Sequence, residues 1–190
     1  MKMASNILAV VYSDGLAADK FIADWGYALR AAGHTVAGIA QRNSFVRNLN
    51  KCDMEVEELY SGAVLQLSQD RGPEARGCRL DRGVLAEVAA LLNTALDDKP
   101  DILVLNKFGK TEAEGSGLRD VLGKAVGIEV PIVVGVPFRN IEQWRNFAGD
   151  MAEECRVDPV CVGRWLAARG LMPEQQRQAD AATDNSRTAN

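Results

Sequence analysis

The sequence predicts a three-layer α/β domain: a mostly parallel sheet with an inserted β-hairpin and a C-terminal helix. Three observations carry this reading. Runs of consecutive aliphatics, at Ile7 to Tyr12, Ile102 to Leu105 and Ile132 to Val136, are bounded by turn or polar residues, as strands buried on both faces are. These runs alternate with segments whose apolar residues recur at helical spacing. The first run, the helix after it and a second strand at Thr35 to Ala40 make a βαβ unit, which implies parallel pairing.

Composition bounds the rest. With 190 residues the chain is most simply one domain, assigned to 1–172, long enough for a substantial core. A hydrophobic fraction of 47% and a charged fraction of 25% place it among ordinary soluble globular proteins rather than disordered ones. Its net charge of −4 argues for neither nucleic acid nor an anionic membrane surface as partner. No apolar run reaches the roughly 20 residues a bilayer requires, and none has signal-peptide anatomy. A cytoplasmic chain with reduced cysteines is therefore expected, and Cys52, Cys78, Cys155 and Cys161 form no C-x-x-C pair.

Taken in order, Ser13-Asp14-Gly15 turns into a helix from about Ala17 to Ala32 with Phe21, Trp25, Ala28 and Leu29 on one face and Gly33 as its stop. After the second strand, Gln41 to Ser44 is expected to leave it as a polar loop. Residues 52–59 alternate as a half-exposed strand, Ser61-Gly62 turns, and Ala63 to Leu67 returns, which gives a hairpin insertion over about 52–68. A loop rich in arginine, with Arg71, Arg76 and Arg79, follows. It reads either as a solvated surface loop or as a presenter of cations to an anionic ligand. Asp81 is placed to cap the helix carrying Val84, Leu85, Val88, Leu92 and Leu96. The Ile102–Leu105 strand then breaks into Asn106-Lys107-Phe108-Gly109-Lys110. A helix from Gly117 to about Val126 and the Pro131–Val136 strand come next, with Arg139 at that strand's carboxyl edge and Asn140 as the expected cap of a helix carrying Trp144 and Phe147. Asp158 and Pro159 start a final helix, and residues 173–190 read as a disordered tail.

The loop after the first strand is where a phosphate cradle would lie. A P-loop reads G-x-x-x-x-G-K-[ST], with glycines to bring backbone N–H groups to the phosphates, a lysine to neutralise them and a hydroxyl for magnesium. On that frame the chain has Asp14 and Asp19 for the two glycines, Lys20 for the lysine and Phe21 for the hydroxyl. Taken alone, Lys20 reads as a solvated helix lysine.

Four blocks carry a resemblance: Cys52-Asp53-Met54, Ser68 to Gly72, Gly77 to Asp81, and Asn106-Lys107-Phe108-Gly109-Lys110-Thr111-Glu112-Ala113-Glu114-Gly115. On these the chain resembles the bacterial domain-of-unknown-function family 2478, across most of residues 5–150. The resemblance implies a P-loop-NTPase-like fold and nucleotide binding, with genes often beside those for molybdate transport. More distantly the element order resembles the THEP-type nucleoside triphosphatases. Asn106 to Glu112 matches their Asp-Glu-Ile-Gly-Lys-Met-Glu step in place and in its Gly109-Lys110-x-Glu112 half. The resemblance implies that Asn106 stands where that family holds magnesium with aspartate, and Lys107 where it activates water with glutamate.

Triphosphate hydrolysis needs both magnesium and a group that positions water, so these departures argue against ordinary Mg-dependent turnover. A metal-free anion site is expected instead, with Lys20, Arg76, Arg79, Asn106, Lys107, Lys110, Glu112 and Arg139 as candidates for a nucleotide, a pterin phosphate or an oxyanion. The contrasting reading has Lys107 paired with Asp14, Asp19 or Glu112 and the pocket closed. Cys52 and Cys78 flank the hairpin and read either as a thiolate pair for a soft metal or redox sensing, or as small buried side chains. No catalytic residue and no cofactor is named by the sequence. Two further readings stand beside anion binding, a divergent triphosphatase and a protein-interaction module with a vestigial site.

Overall fold

The computed structural model describes residues 5–45, 52–69 and 79–173, of which 42–45, 52–54, 68–69 and 79–80 are described by backbone alone. The elements in chain order are β1 (Ile7–Tyr12), α1 (Gly15–Ala31), β2 (Val36–Phe45), β3 (Cys52–Glu58), β4 (Val64–Gln66), β5 (Ser68–Gln69), β6 (Arg79–Leu80), α2 (Arg82–Asp97), β7 (Ile102–Leu105), α3 (Lys110–Ala113), α4 (Arg119–Gly127), β8 (Ile132–Pro137), α5 (Ile141–Ala148), β9 (Ala152–Arg156) and α6 (Pro159–Ala167).

The alternation of side chains along each strand turns directly into layers. In β7, Leu103 and Leu105 point to one side of the sheet and Ile102 and Val104 to the other, and all four are buried. In β1, Ile7 and Ala9 separate from Leu8 and Val10 in the same way. One side is covered by α2, α4 and α5 through Leu92, Leu122 and Trp144. The other is covered by α1 and α6 through Ile22, Leu29, Trp165 and Leu166. The result is the expected three-layer, P-loop-NTPase-like α/β arrangement.

The main sheet has the order β4-β3-β2-β7-β8-β1-β9, with β2, β7, β8, β1 and β9 parallel and β3 and β4 antiparallel at one end. Close packing sets two glycines here. A Cβ on Gly38 would lie 2.0 Å from the Val104 carbonyl oxygen, and one on Gly135 would lie 2.2 Å from the Asn106 carbonyl oxygen. Those glycines let β2 and β8 approach β7.

Several expectations change. The polar run at Gln41 to Ser44 does not leave the sheet. It continues β2 to Phe45, because β3 supplies an antiparallel partner from Ile39↔Glu58 to Phe45↔Cys52. The hairpin of β3 and β4 pairs as expected, with Glu55↔Gln66 to Glu57↔Val64. The strand β9 was not expected; Ala-Glu-Glu-Cys-Arg is short and polar because it lies at the sheet edge, beside β1 alone. Asn140 does not cap α5 through its side chain. Its Nδ2 instead donates to the Phe108 carbonyl at 3.0 Å. Pro173 is buried, and residues 174–190 of the expected tail lie outside the described residues.

Candidate functional site

Strand β1 leads through α1 across one side of the sheet, whereas its neighbour β8 leads through α5 across the other. Departures of this kind from adjacent strands open a crevice at their carboxyl ends, the usual ligand position in α/β sheets. The side chains at that edge come from Tyr12 to Asp14, Gln41, Asn106 to Phe108 and Phe138 to Asn140.

The helix N-terminus in the crevice is already occupied by the chain. Asp14 is the N-cap of α1, and its Oδ1 accepts from the backbone N–H of Leu16 at 3.0 Å and of Ala17 at 3.3 Å. These are the unpaired donors that a phosphate would otherwise use. Only Ser13 and Asp14 separate β1 from α1, and the Tyr12 ring lies against Gly15, with Cε2 4.0 Å from the position of a Cβ there. Lys20, one turn on, is exposed and paired with Asp24 at 2.6 Å.

Across the crevice, Asn106 is 2% exposed. Its Nδ2 donates to Asp19 Oδ1 at 2.7 Å and to Gln41 Oε1 at 3.1 Å, which joins β7 to α1 and β2. Among the described residues its Oδ1 is buried without a hydrogen-bond partner, and so is the Tyr12 hydroxyl on β1. Burial, then the Asp19 carboxylate, pushes the Tyr12 hydroxyl far above its ordinary pKa, and the Arg139 guanidinium partly offsets them. Tyr12 therefore lies in the fields of both groups and stays protonated.

Phe108 turns inward, wholly buried, with its N–H donating to the Gly135 carbonyl at 2.7 Å and its ring edge-on to Trp144 at 5.2 Å. That anchor leaves Lys107, between it and Asn106, exposed. Among the described residues neither Lys107 nor Arg139 makes a hydrogen bond or ion pair, and they follow adjacent strands, β7 and β8.

The Gly109-Lys110-x-Glu112 step does a different task. Glu112 is 6% exposed; its Oε2 accepts from Gly109 N–H at 2.8 Å and its Oε1 from Leu118 N–H at 3.0 Å. One carboxylate thus staples both ends of the loop between β7 and α4. Gly117, at φ +65°, completes it, because a Cβ there would lie 2.2 Å from Glu112 Oε1. Lys110 is exposed and faces Glu114 at 3.5 Å. The sequence pattern offered no sign of this stapling role, since a buried and an exposed glutamate look alike in a polar run.

Arg76 and Cys78 lie outside the described residues, and Arg79 and Cys52 are placed by backbone only, in β6 and β3. Among the described residues no group of three or more His, Cys, Asp or Glu is arranged to hold a metal ion. Cys155 and Cys161 are free thiols beside each other; burial, then Cys161, pushes the Cys155 thiol up, which makes it a poor nucleophile.

On the β9 side of β1 lies a cavity of about 700 Å³. Tyr12 and Ser13 form one wall, Phe138 and Ile141 another, and Cys155 and Val157 a third. Arg145 of α5 braces it by a two-pronged bond to Glu154 of β9, with Nε to Oε1 at 2.9 Å and Nη2 to Oε2 at 2.8 Å. The sequence did not reveal this cavity, because β9 was not legible as a strand.

Comparison with known proteins gives the family. The model of the family described as "Protein of unknown function (DUF2478)" matches residues 7–165, most of the chain. The chain belongs to this family. Among curated proteins, a 163-residue stretch covering 85% of the chain is 30% identical to the molybdenum import ATP-binding protein ModC 2 of Bradyrhizobium diazoefficiens. The match takes in only 18% of that relative's length, so the chain spans less than a fifth of it. No solved structure matches this DUF2478 chain. Among the described residues, no helix is long and apolar enough to cross a membrane.

Proposed function

We propose that this protein binds a nucleotide or related anion at the carboxyl edge of its sheet, without ordinary Mg-dependent hydrolysis. The observation that carries this reading is the pair of exposed cations, Lys107 and Arg139, on the ends of adjacent strands beside two buried polar atoms without partners, Tyr12 Oη and Asn106 Oδ1. Buried polar groups are ordinarily hydrogen-bonded, so two unsatisfied ones at one edge call for a partner. Lys107 and Arg139 supply the charge to hold an anion there, and Tyr12 supplies a donor.

Magnesium does not fit the donor set well. Phe21 stands at the hydroxyl position of the P-loop frame, and Asn106 turns its amide nitrogen to Asp19. Magnesium favours oxygen ligands in near-octahedral order, with one or two carboxylates beside the substrate phosphates. Asp14 is committed to the backbone of α1. The reading therefore places anion binding on the β7–β8 side, with Lys107 and Arg139 foremost and Asn106 as the buried support. Lys20 and Lys110 form the outer candidates, Arg76 and Arg79 stay candidates on the sequence alone, and Glu112 holds the loop that carries Lys107.

The relative's role in molybdenum import, as its name gives it, supports such a setting, and on that basis we place the protein as an accessory of molybdenum or molybdenum-cofactor metabolism. A thermal-shift panel of nucleotides, pterins, molybdate and tungstate tests the function, each with magnesium and with chelator. A shift that survives chelation is expected for at least one ligand. A shift with nucleotide that requires magnesium and accompanies phosphate release would support a divergent triphosphatase instead. A panel without any shift would sink the binding reading.

A further inference from the structure

The cavity between β1, β9 and α5 is unused by the anion site described above, yet Tyr12 belongs to both. Its volume of about 700 Å³ lies inside the range of small-molecule sites, roughly 300–1,000 Å³. The lining is mostly apolar, from Val11, Ala17, Ile141 and Val157, with the charged side chains of Asp14, Arg145, Glu154 and Arg156 also on it. Phe138 lines the cavity with 64% of its surface exposed, so its ring is open to a ligand there. Tyr12, by contrast, is 7% exposed and carries a hydroxyl with no partner.

We infer that this cavity takes the heteroaromatic ring of the ligand, while its anionic part extends along the strand ends to Arg139 and Lys107. This rests on the anion-binding reading and adds where the rest of the ligand lies. Four relationships support it. Phe138 and Arg139 are consecutive, so one turn presents a stacking ring to the cavity and a guanidinium to the anion. The strand order β7-β8-β1-β9 separates Lys107 from the far, β9 wall of the cavity by three strand spacings, about 14 Å, within the reach of an extended nucleotide. Asp14 takes the α1 donors, which removes the helix N-terminus as the anchor and leaves the ring free to sit on the β9 side. The Arg145–Glu154 bond fixes the far wall, so the cavity is formed before a ligand arrives.

The class of ligand is thus a planar heteroaromatic compound with a phosphate or comparable oxyanion, not a bare oxyanion. Isothermal titration in chelator, with adenosine triphosphate and inorganic tripolyphosphate as probes, gives the test, paired with photolabelling by 8-azidoadenosine triphosphate and peptide mapping. The wild-type protein is expected to bind the nucleotide more tightly than tripolyphosphate. Phe138→Ala, a change at an exposed position, is expected to cost the nucleotide about 5- to 150-fold, the range for one lost stacking partner, and to leave tripolyphosphate within about twofold. Val157→Trp, which fills the mouth, is expected to do the same. The label is expected within residues 12–14, 138–141 or 154–157. Equal affinity for the two probes, or a label confined to Gln41 or residues 106–110, overturns the ring site and leaves anion binding standing. If neither probe binds, the anion reading fails, and the ring site with it.

Discussion

Asn106 on β7 donates its side-chain amide to Asp19 on α1 at 2.7 Å, and this hydrogen bond ties the carboxyl edge of the sheet to the first helix. The residue type matters. An amide can satisfy a carboxylate at that distance, whereas a second carboxylate would repel it.

Asn106→Asp is therefore expected to destabilise the protein by about 2–3 kcal/mol at pH 8, because a buried carboxylate would then face the half-buried carboxylate of Asp19. The pair would share a proton, which raises one folded-state pKa above its unfolded value. The destabilisation is then largest above that raised pKa and is relieved as pH falls through it. Urea unfolding at pH 8 and pH 5 checks this; a variant equally stable relative to wild type at both values would contradict it.

Glu112 satisfies two buried backbone donors, so Glu112→Ala is expected to cost about 2–4 kcal/mol. Glu112→Gln keeps one oxygen acceptor and is expected to lose roughly half as much. Gly117→Ala should also destabilise the loop, through both its positive φ and the 2.2 Å approach to Glu112. Denaturation midpoints check the order; an unchanged Glu112→Ala would show that the loop is held elsewhere.

The Tyr12 hydroxyl is buried without a partner, so Tyr12→Phe is expected to leave the free protein as stable or more stable, by up to about 1 kcal/mol. The same change should weaken anion binding several-fold. Stability and affinity moving in opposite directions would mark a group kept for a ligand. A clear loss of stability would instead show that the hydroxyl has a role in the fold.

Asp101 is held below the usual carboxylate range, first by the Thr35 N–H at 2.7 Å; desolvation is the next largest effect and opposes it, and the Thr35 hydroxyl at 2.9 Å and then His34 add to the lowering. A depressed folded pKa contributes stability that is present above the unfolded pKa and lost as pH falls through the folded one. Asp101→Asn is thus expected to cost on the order of 0.5–1 kcal/mol at pH 7, modest because the side chain is half exposed, and to cost little at pH 3. Parallel pH titrations of stability check this; a cost that persists at pH 3 would contradict it.

Much of the fold was legible because burial on both sheet faces leaves a continuous aliphatic run, as in Ile102 to Leu105, and because helix starts carry a chemical mark. Asp81 and Asp158 each accept from backbone N–H groups of the first turn, as read. β9 was not legible, since an edge strand with exposed glutamates has no apolar run to show. The site was legible in place and less so in role. Asn106, Lys107 and Arg139 do lie at strand ends, but the burial that makes Glu112 a backbone staple arises only when Gly109 and Leu118 are brought to it. Arg76 belongs to a stretch outside the described residues.

Isothermal titration of a nucleotide in the presence of chelator, for wild type, Lys107→Ala and Arg139→Ala, bears most directly on the central claim. Binding by the wild type without magnesium is expected, weakened about tenfold or more by each substitution, with folding unchanged because both side chains are exposed. Binding that requires magnesium, or that is indifferent to both substitutions, would contradict the account.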